Sequence, residues 1–135
     1  MPAYGTVQGV TTPAPQATVV ALSPTNGRQT REIPAVLDSG SAMTCVPMAD
    51  IRRLGRNLEY SYMLCQGPVG KPERRRVYII NLRIADCGTV FEDVEVVAIG
   101  RDYALIGRDI LNSYKVVLDG SHLQWTHDSP SPQIP

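Results

Sequence analysis

The chain has 135 residues, with 13 Lys or Arg and 13 Asp or Glu, so its formal net charge is zero at pH 7. This length suits one domain with a modest core. A neutral chain offers no basic surface for nucleic acid, and no apolar stretch approaches the roughly 20 residues of a membrane-spanning helix. Residues 1–16 lack the pattern of a signal peptide, so we expect a cytoplasmic protein.

Cysteine and histidine give no sign of a metal site. Cys45, Cys65 and Cys87 stand far apart without a Cys-x-x-Cys pair, and the two histidines are His122 and His127. We therefore expect no metal and no other cofactor. Cys–His catalysis has no support beyond the presence of both residue types, and reduced, mostly buried cysteines are the simpler interpretation.

The ends of the chain differ in composition from the middle. Residues 1–16 are rich in Thr, Pro, Ala, Gln and Gly, and residues 127–135 carry three prolines and two serines. Both segments are poor core formers, which predicts flexible tails around a domain at 17–126. Such an organisation is compatible with one domain of a longer protein.

The first half of the domain predicts a β-hairpin followed by a short helix. Residues 17–22 are rich in Val and Thr, and residues 24–27 end in Asn-Gly, which suits positive φ angles in a turn. Residues 30–37 predict the returning strand. Apolar residues at helical spacing within 47–58 predict a helix that begins at a proline.

The second half predicts further short strands. Residues 59–64 and 76–85 are rich in β-branched or aromatic residues and are joined by a loop, 66–72, with two glycines and two prolines. A turn at 86–88 leads to a strand at 90–99. Short strands separated by turns favour a β-sandwich or β-barrel.

The last part of the domain predicts a strand that runs into a helix. Residues 103–111 read Tyr-Ala-Leu-Ile-Gly-Arg-Asp-Ile-Leu, with the helix beginning after Gly107 and Asp109 in its first turn. Two closing strands are expected at 114–118 and 123–126.

Residues 36–44 read Val-Leu-Asp-Ser-Gly-Ser-Ala-Met-Thr, so an apolar strand delivers the Asp38 carboxylate directly into a turn. A buried ionised carboxylate is costly unless it is paired or shares a proton. One interpretation is therefore a catalytic acid. The other is an aspartate that begins an ordinary turn, with Ser39 and Gly40 as normal turn residues.

Together, the Asp-Ser-Gly turn and the later Leu-Ile-Gly-Arg-Asp segment resemble the retropepsins, single-lobe aspartic proteases of retroviruses with cellular and bacterial relatives. The resemblance covers residues 17–126 in order and spacing. It implies a mostly β fold, a closed β-barrel or sandwich with one or two short helices. It also implies a catalytic Asp38 and supporting residues around its turn, namely Ser39, Gly40, Ile106 and Gly107.

The same resemblance places a flap at residues 60–76, which would close over a bound peptide. The candidate substrate-binding residues of this flap are Tyr62, Gln66, Gly67 and Gly70. A flexible hairpin loop without that role explains the same residues equally well.

The chain also departs from the viral pattern. Viral enzymes often carry an acid two residues after the catalytic glycine, where this chain has Ala42, and that acid pairs with the arginine that matches Arg108. Asp50 and Asp109 are the alternative partners for Arg108. The segment after the second predicted helix is longer than in the viral enzymes, which indicates closer similarity to cellular or bacterial members. The resemblance then implies a dimer interface in the hairpin 116–126, which includes Trp125.

One chain supplies one Asp-Ser-Gly, whereas aspartic proteolysis needs two neighbouring carboxylates that share a proton. A two-fold homodimer brings Asp38 against its symmetry mate. The resemblance therefore implies an aspartic endopeptidase that acts on polypeptides as a homodimer. Two alternatives remain open: a non-catalytic retropepsin-fold module for dimerisation or peptide binding, and an unrelated small β-barrel binding domain.

Overall fold

The computed structural model describes residues 2–6, 12–55, 60–65 and 70–128. The elements within them, in chain order, are β1 (Tyr4–Gly5), β2 (Ala14–Leu22), β3 (Ile33–Leu37), β4 (Cys45–Pro47), α1 (Met48–Arg53), β5 (Tyr60–Cys65), β6 (Glu73–Ile84), β7 (Thr89–Ile99), β8 (Ala104–Ile106), α2 (Arg108–Leu111), β9 (Val116–Asp119) and β10 (Gln124–His127). The expected fold class, mostly β with two short helices, is confirmed.

The main sheet closes on itself. Its strand order is β1-β2-β3-β8-β4-β7-β6-β5, and β2 also pairs with β6, so six of the strands form a continuous ring. Such closure leaves those strands without free edges. Strands β9 and β10 form a separate antiparallel pair. The expectation of a closed barrel is therefore confirmed.

Most predicted elements are present with shifted ends. Strand β2 begins at Ala14, inside the segment expected to be a tail, and Tyr4–Gly5 pairs with it at Ala14 and Pro15. Strand β6 begins at Glu73 instead of residue 76, which lengthens the hairpin that it forms with β5. The domain limit at residue 17 stays a prediction.

The helices are short. Helix α1 ends at Arg53, earlier than the expected residue 58, and residues 56–59 lie outside the described part of the chain. Its Ile51 and the following Leu54 are buried and pack into the core. Among the described residues, no helix is long and apolar enough to cross a membrane.

The core fills the barrel interior. Buried and more exposed residues alternate along β6 from Ile80 to Ile84, as expected for a strand with one face inside. Trp125 is only 2% exposed and belongs to the same core cluster. Its indole N–H donates to the carbonyl of Gln16 at 2.9 Å, which fastens β10 to β2.

Candidate active site

The Asp38 turn is positioned by a parallel strand pair. Strands β3 and β8 run side by side, with Leu37 opposite Ile106, and the Asp38 backbone N–H donates to the Ile106 carbonyl at 2.9 Å. The Asp38 carbonyl then accepts the Ser41 N–H at 3.2 Å, so the chain reverses immediately after the strand. Strand pairing therefore carries the half-buried Asp38 to the start of the turn.

The Asp38 carboxylate is held by its own turn. Oδ1 accepts the Gly40 backbone N–H at 3.0 Å, an Asx-type contact that fixes the side chain. A Cβ at position 40 would lie 3.1 Å from that oxygen, which is tighter than normal packing. Within the described residues, Oδ2 makes no hydrogen bond, and Ser39 and Gly40 are exposed. One oxygen is thus anchored while the other is available.

Gly107 packs directly behind this turn. A Cβ at Gly107 would lie 2.6 Å from the backbone C and O of Met43 and 2.9 Å from the Ser41 carbonyl oxygen. The Arg108 N–H donates to that Ser41 carbonyl at 2.8 Å. Because the obstructing atoms are backbone, only glycine allows the two segments to approach this closely.

A buried threonine connects the same two segments. The Thr44 hydroxyl donates to Asp109 Oδ1 at 2.8 Å, and the Thr44 N–H donates to Asp109 Oδ2 at 3.1 Å. The Gly107 N–H donates to the Thr44 hydroxyl oxygen at 3.1 Å. Sequence reasoning missed Thr44, because a threonine before a short strand has no local signal that distinguishes it from an ordinary strand residue.

The prediction that Arg108 pairs with Asp50 or Asp109 was wrong. Asp50 is paired with Arg31, whose Nε and Nη2 lie 3.1 and 3.3 Å from its two carboxylate oxygens. Asp109 is occupied by Thr44. Arg108 instead donates from Nη1 to the Ser39 carbonyl at 2.7 Å, so its guanidinium supports the Asp38 turn from the backbone side.

A cleft of about 370 Å³ lies beside the turn. The cleft lies between the segment after Asp38 and the β5–β6 hairpin. Its described lining residues include Met43, Met63, Val97, Ile99 and Arg108. The lining is mainly apolar, with the turn at one side. Such a concave apolar site with a few polar groups is typical of ligand sites.

The predicted flap residues are only partly described. Strands β5 and β6 do form a hairpin, but Gln66 and Gly67 lie outside the described residues. Gly70 has a φ of 103°, a conformation that favours glycine. Tyr62 is 44% exposed and stacks under the Arg74 guanidinium at 4.1 Å, and it does not line the cleft. The role of these residues in substrate binding stays a prediction.

The cysteines are free thiols. Cys45 lines the cleft, and burial raises the pKa of its thiol to about 11, so the thiol is protonated at neutral pH. Neither His122 nor His127 lines the cleft. Among the described residues that line the cleft there is no histidine to activate a cysteine nucleophile. In the described ranges, no cluster of three or more His, Cys, Asp or Glu side chains is arranged to hold a metal ion.

No family model matches this chain, and no curated protein matches it. Among solved structures, the chain is similar to the solution structure of the simian foamy virus (mac) protease, with 24% sequence identity and a TM-score of 0.49. The similarity covers 72% of this chain and 91% of that chain.

Proposed function

We propose that the protein is an aspartic endopeptidase that acts as a homodimer. In this proposal Asp38 of each chain contributes one carboxylate to a pair that shares a proton. The observation that carries the proposal is the Asp38 turn itself. Its carboxylate stands at the end of a barrel strand, is held at one oxygen by Gly40, and is backed by the close packing of Gly107.

The chemistry follows from two facing carboxylates. The ionised member takes a proton from a water molecule, and the protonated member donates a hydrogen bond to the scissile carbonyl. The oxygen of the water then attacks the carbonyl carbon, and the scissile C–N bond breaks as a carboxyl group of the pair gives a proton to the leaving amine. Ser39 is exposed in the turn, where its hydroxyl can bond across the two-fold axis. The β5–β6 hairpin would close over the extended peptide and exclude bulk water.

The C-terminal hairpin supports a dimer, though not through Trp125. That tryptophan is buried in the core of its own chain, so its position argues against the expectation that it contacts a second copy. Three other apolar side chains of the segment are about half exposed: Val117, Leu118 and Leu123. Exposed apolar side chains on a short hairpin are candidates for an association surface. They are the better candidates for contact with a second copy.

The decisive experiment replaces Asp38 by Asn and measures cleavage of a peptide library at acidic and neutral pH. The wild-type protein should cleave faster on the acid side, where the pair holds its shared proton, and Asp38→Asn should abolish cleavage. Asp102→Asn is the matched control, because the Asp102 side chain is exposed. It should cleave like wild type.

Thermal unfolding of the same samples separates lost chemistry from lost structure. Asp38→Asn should unfold at the wild-type temperature or slightly above it, because two facing carboxylates repel each other. Residual cleavage by a clean Asp38→Asn preparation would contradict the assignment of this site.

A non-catalytic dimerisation or peptide-binding module is the second candidate. The exposed apolar residues of the β9–β10 hairpin favour association with or without cleavage. A protein that dimerises and binds peptides, but cleaves none of them at any pH, would support this candidate instead.

A further inference from the structure

The cleft beside the Asp38 turn carries an uneven charge. Its described lining residues include two arginines, Arg75 and Arg108, and no aspartate or glutamate. Arg75 already has an acidic partner, because its guanidinium contacts the carboxylate of Glu73 on the same strand. The cationic group of the cleft that lacks an acidic partner within the described residues is therefore Arg108.

The Arg108 guanidinium has donors to spare. It carries five N–H groups, and its bond to the Ser39 carbonyl uses one of them. Arg108 is exposed in the single chain, and Ala42, which lines the same cleft, offers only a methyl group. A cation in this position, beside a concave surface, is placed to receive an anionic group from a bound molecule.

We infer that Arg108 binds a carboxylate of the peptide substrate, so that the cleft selects peptides with an acidic group. The inference rests on the proposed function, because it takes a peptide as the occupant. A guanidinium matches a carboxylate with two parallel N–H···O bonds. In a partly enclosed cleft this pair is screened less by salt than a pair on open surface. The carboxylate can come from an Asp or Glu side chain or from the C-terminus of a peptide.

The rest of the cleft defines the neighbouring positions of the peptide. Met43, Met63, Val97 and Ile99 surround the space next to Arg108. Unbranched methionines adapt to side chains of different shapes, whereas valine and isoleucine give a fixed apolar wall. The selected peptides therefore carry their acidic group beside large apolar residues.

Paired peptide pools test the inference. All peptides of a pair are acetylated at the N-terminus, amidated at the C-terminus and randomised at the apolar positions. The two pools of a pair differ only by Glu or Gln at one fixed position. A third pool has Gln at that position and a free C-terminal carboxylate. Binding is measured at low ionic strength with the Asp38→Asn protein, and cleavage with the protein that retains Asp38. At one fixed position, the Glu pool should be bound and cleaved about tenfold to a hundredfold better than the Gln pool, as expected for hydrogen bonds to a charged group. If Arg108 binds the C-terminus of the peptide instead, the pool with the free C-terminus should show this preference over the amidated Gln pool.

Two variants connect this preference to Arg108. Arg108→Gln should remove the preference, but it also removes the bond to Ser39. Ala42→Asp keeps that bond and places a competing carboxylate in the cleft, so it should lower the Glu-to-Gln ratio towards one. Ala42→Asn is its uncharged control of the same size and should retain the ratio. The loss should appear in KM and in peptide affinity more than in kcat, because binding is what changes.

The outcomes separate this inference from the proposed function. Equal binding and cleavage of all pools, or a Glu preference that persists in both Arg108→Gln and Ala42→Asp, would overturn the role of Arg108 and leave the peptidase proposal intact. Glu-dependent binding that Ala42→Asp weakens, in a protein that cleaves nothing, would support the role of Arg108 and overturn the peptidase proposal.

Discussion

At the scale of single residues, Gly107 is the position where one added methyl group is least tolerable. Gly107→Ala would press a Cβ into the Met43 backbone, 2.6 Å away. We expect the variant to lose about 1–3 kcal/mol of unfolding free energy, as is usual for overpacked sites. Peptide cleavage should fall as well, because relief of the clash moves the Asp38 turn. Urea unfolding and cleavage rates measure the two effects.

Gly100 provides the matched control for that substitution. A Cβ at Gly100 would meet nothing within 4 Å, and its φ is not in the left-handed region. Gly100→Ala should therefore be neutral or slightly stabilising, since alanine restricts the unfolded chain. Equal stability of the two variants would show that the Gly107 contact relaxes without cost.

The burial of Cys45 should make both the reactivity of its thiol and the stability of the protein depend on pH. Burial raises the pKa of its thiol to about 11 from an ordinary value of 9.0, so the folded protein binds this proton more tightly than the unfolded chain. The stability that this group contributes is complete below pH 9 and is lost as the pH rises towards 11. Iodoacetamide should therefore alkylate Cys45 slowly at pH 7.5, as followed by peptide mass spectrometry.

Cysteine replacement supplies the test of mechanism. Cys45→Ala should retain cleavage, because the proposed chemistry uses no thiol. An inactive but folded Cys45→Ala protein, or a thiol that reacts rapidly at neutral pH, would argue for a cysteine mechanism in place of the aspartate pair.

At the scale of the elements, Thr44 links the start of β4 to helix α2. Thr44→Val keeps the side-chain shape but removes the hydroxyl, which leaves the Gly107 N–H and one contact of the Asp109 carboxylate without this partner. Buried groups that lose their partners cost about 1–3 kcal/mol. We expect a loss of that size in urea unfolding, together with slower cleavage.

Thr44→Ser restores the hydroxyl and serves as the comparison. It should recover most of the stability lost in Thr44→Val, apart from the effect of one deleted methyl group. If the serine and valine variants were equally destabilised, packing of the methyl group and not the hydrogen bonds would account for the effect of Thr44.

The elements that sequence could predict are those with a local signal. The turn before Gly27, the β-rich hairpins and the glycine before α2 each carry their pattern within a few residues. The observed ends differ from the predicted ones at β2 and β6, because strand ends are set by the partner strand. Pairing of Gln16 with Val36 extends β2 into a segment whose composition suggests a tail.

The supporting contacts of the site had no such signal. Thr44 and Asp109 lie 65 positions apart in the chain, and Trp125 and its Gln16 partner lie 109 apart. The pairing of β2 with β6, which closes the barrel, also joins distant segments. The Arg108 prediction failed for the same reason, because chain position does not reveal that Arg31 occupies Asp50. Side-chain partners depend on which segments the closed barrel brings together.

At the scale of the whole molecule, the proposed dimer can be tested at the surface of the β9–β10 hairpin. Leu118 is 56% exposed and Val117 is 50% exposed, and both belong to β9. The resemblance implied an interface on this hairpin, which stays a prediction; Trp125 is buried in its own chain, so these exposed side chains are the better candidates for contact. Loss of Trp125 would damage the core, at a cost of about 3–5 kcal/mol, and would confuse unfolding with dissociation.

Leu118→Ser is therefore the sharper variant. If Leu118 is buried between two copies, its loss should raise the dimer dissociation constant by about tenfold to a hundredfold and leave the unfolding of the monomer nearly unchanged. Val90→Ser, at another exposed apolar residue that is 49% exposed on β7, is the control and should not change association.

Specific activity should then depend on protein concentration, because each chain brings a single Asp38 to the pair. Wild-type activity should fall on dilution through the dissociation constant, and Leu118→Ser should lose activity at a higher concentration. Sedimentation and cleavage are to be measured on the same samples. Full-rate cleavage by wild-type protein that sediments as a monomer would exclude the shared pair, since one Asp38 cannot supply both the ionised and the protonated carboxyl group.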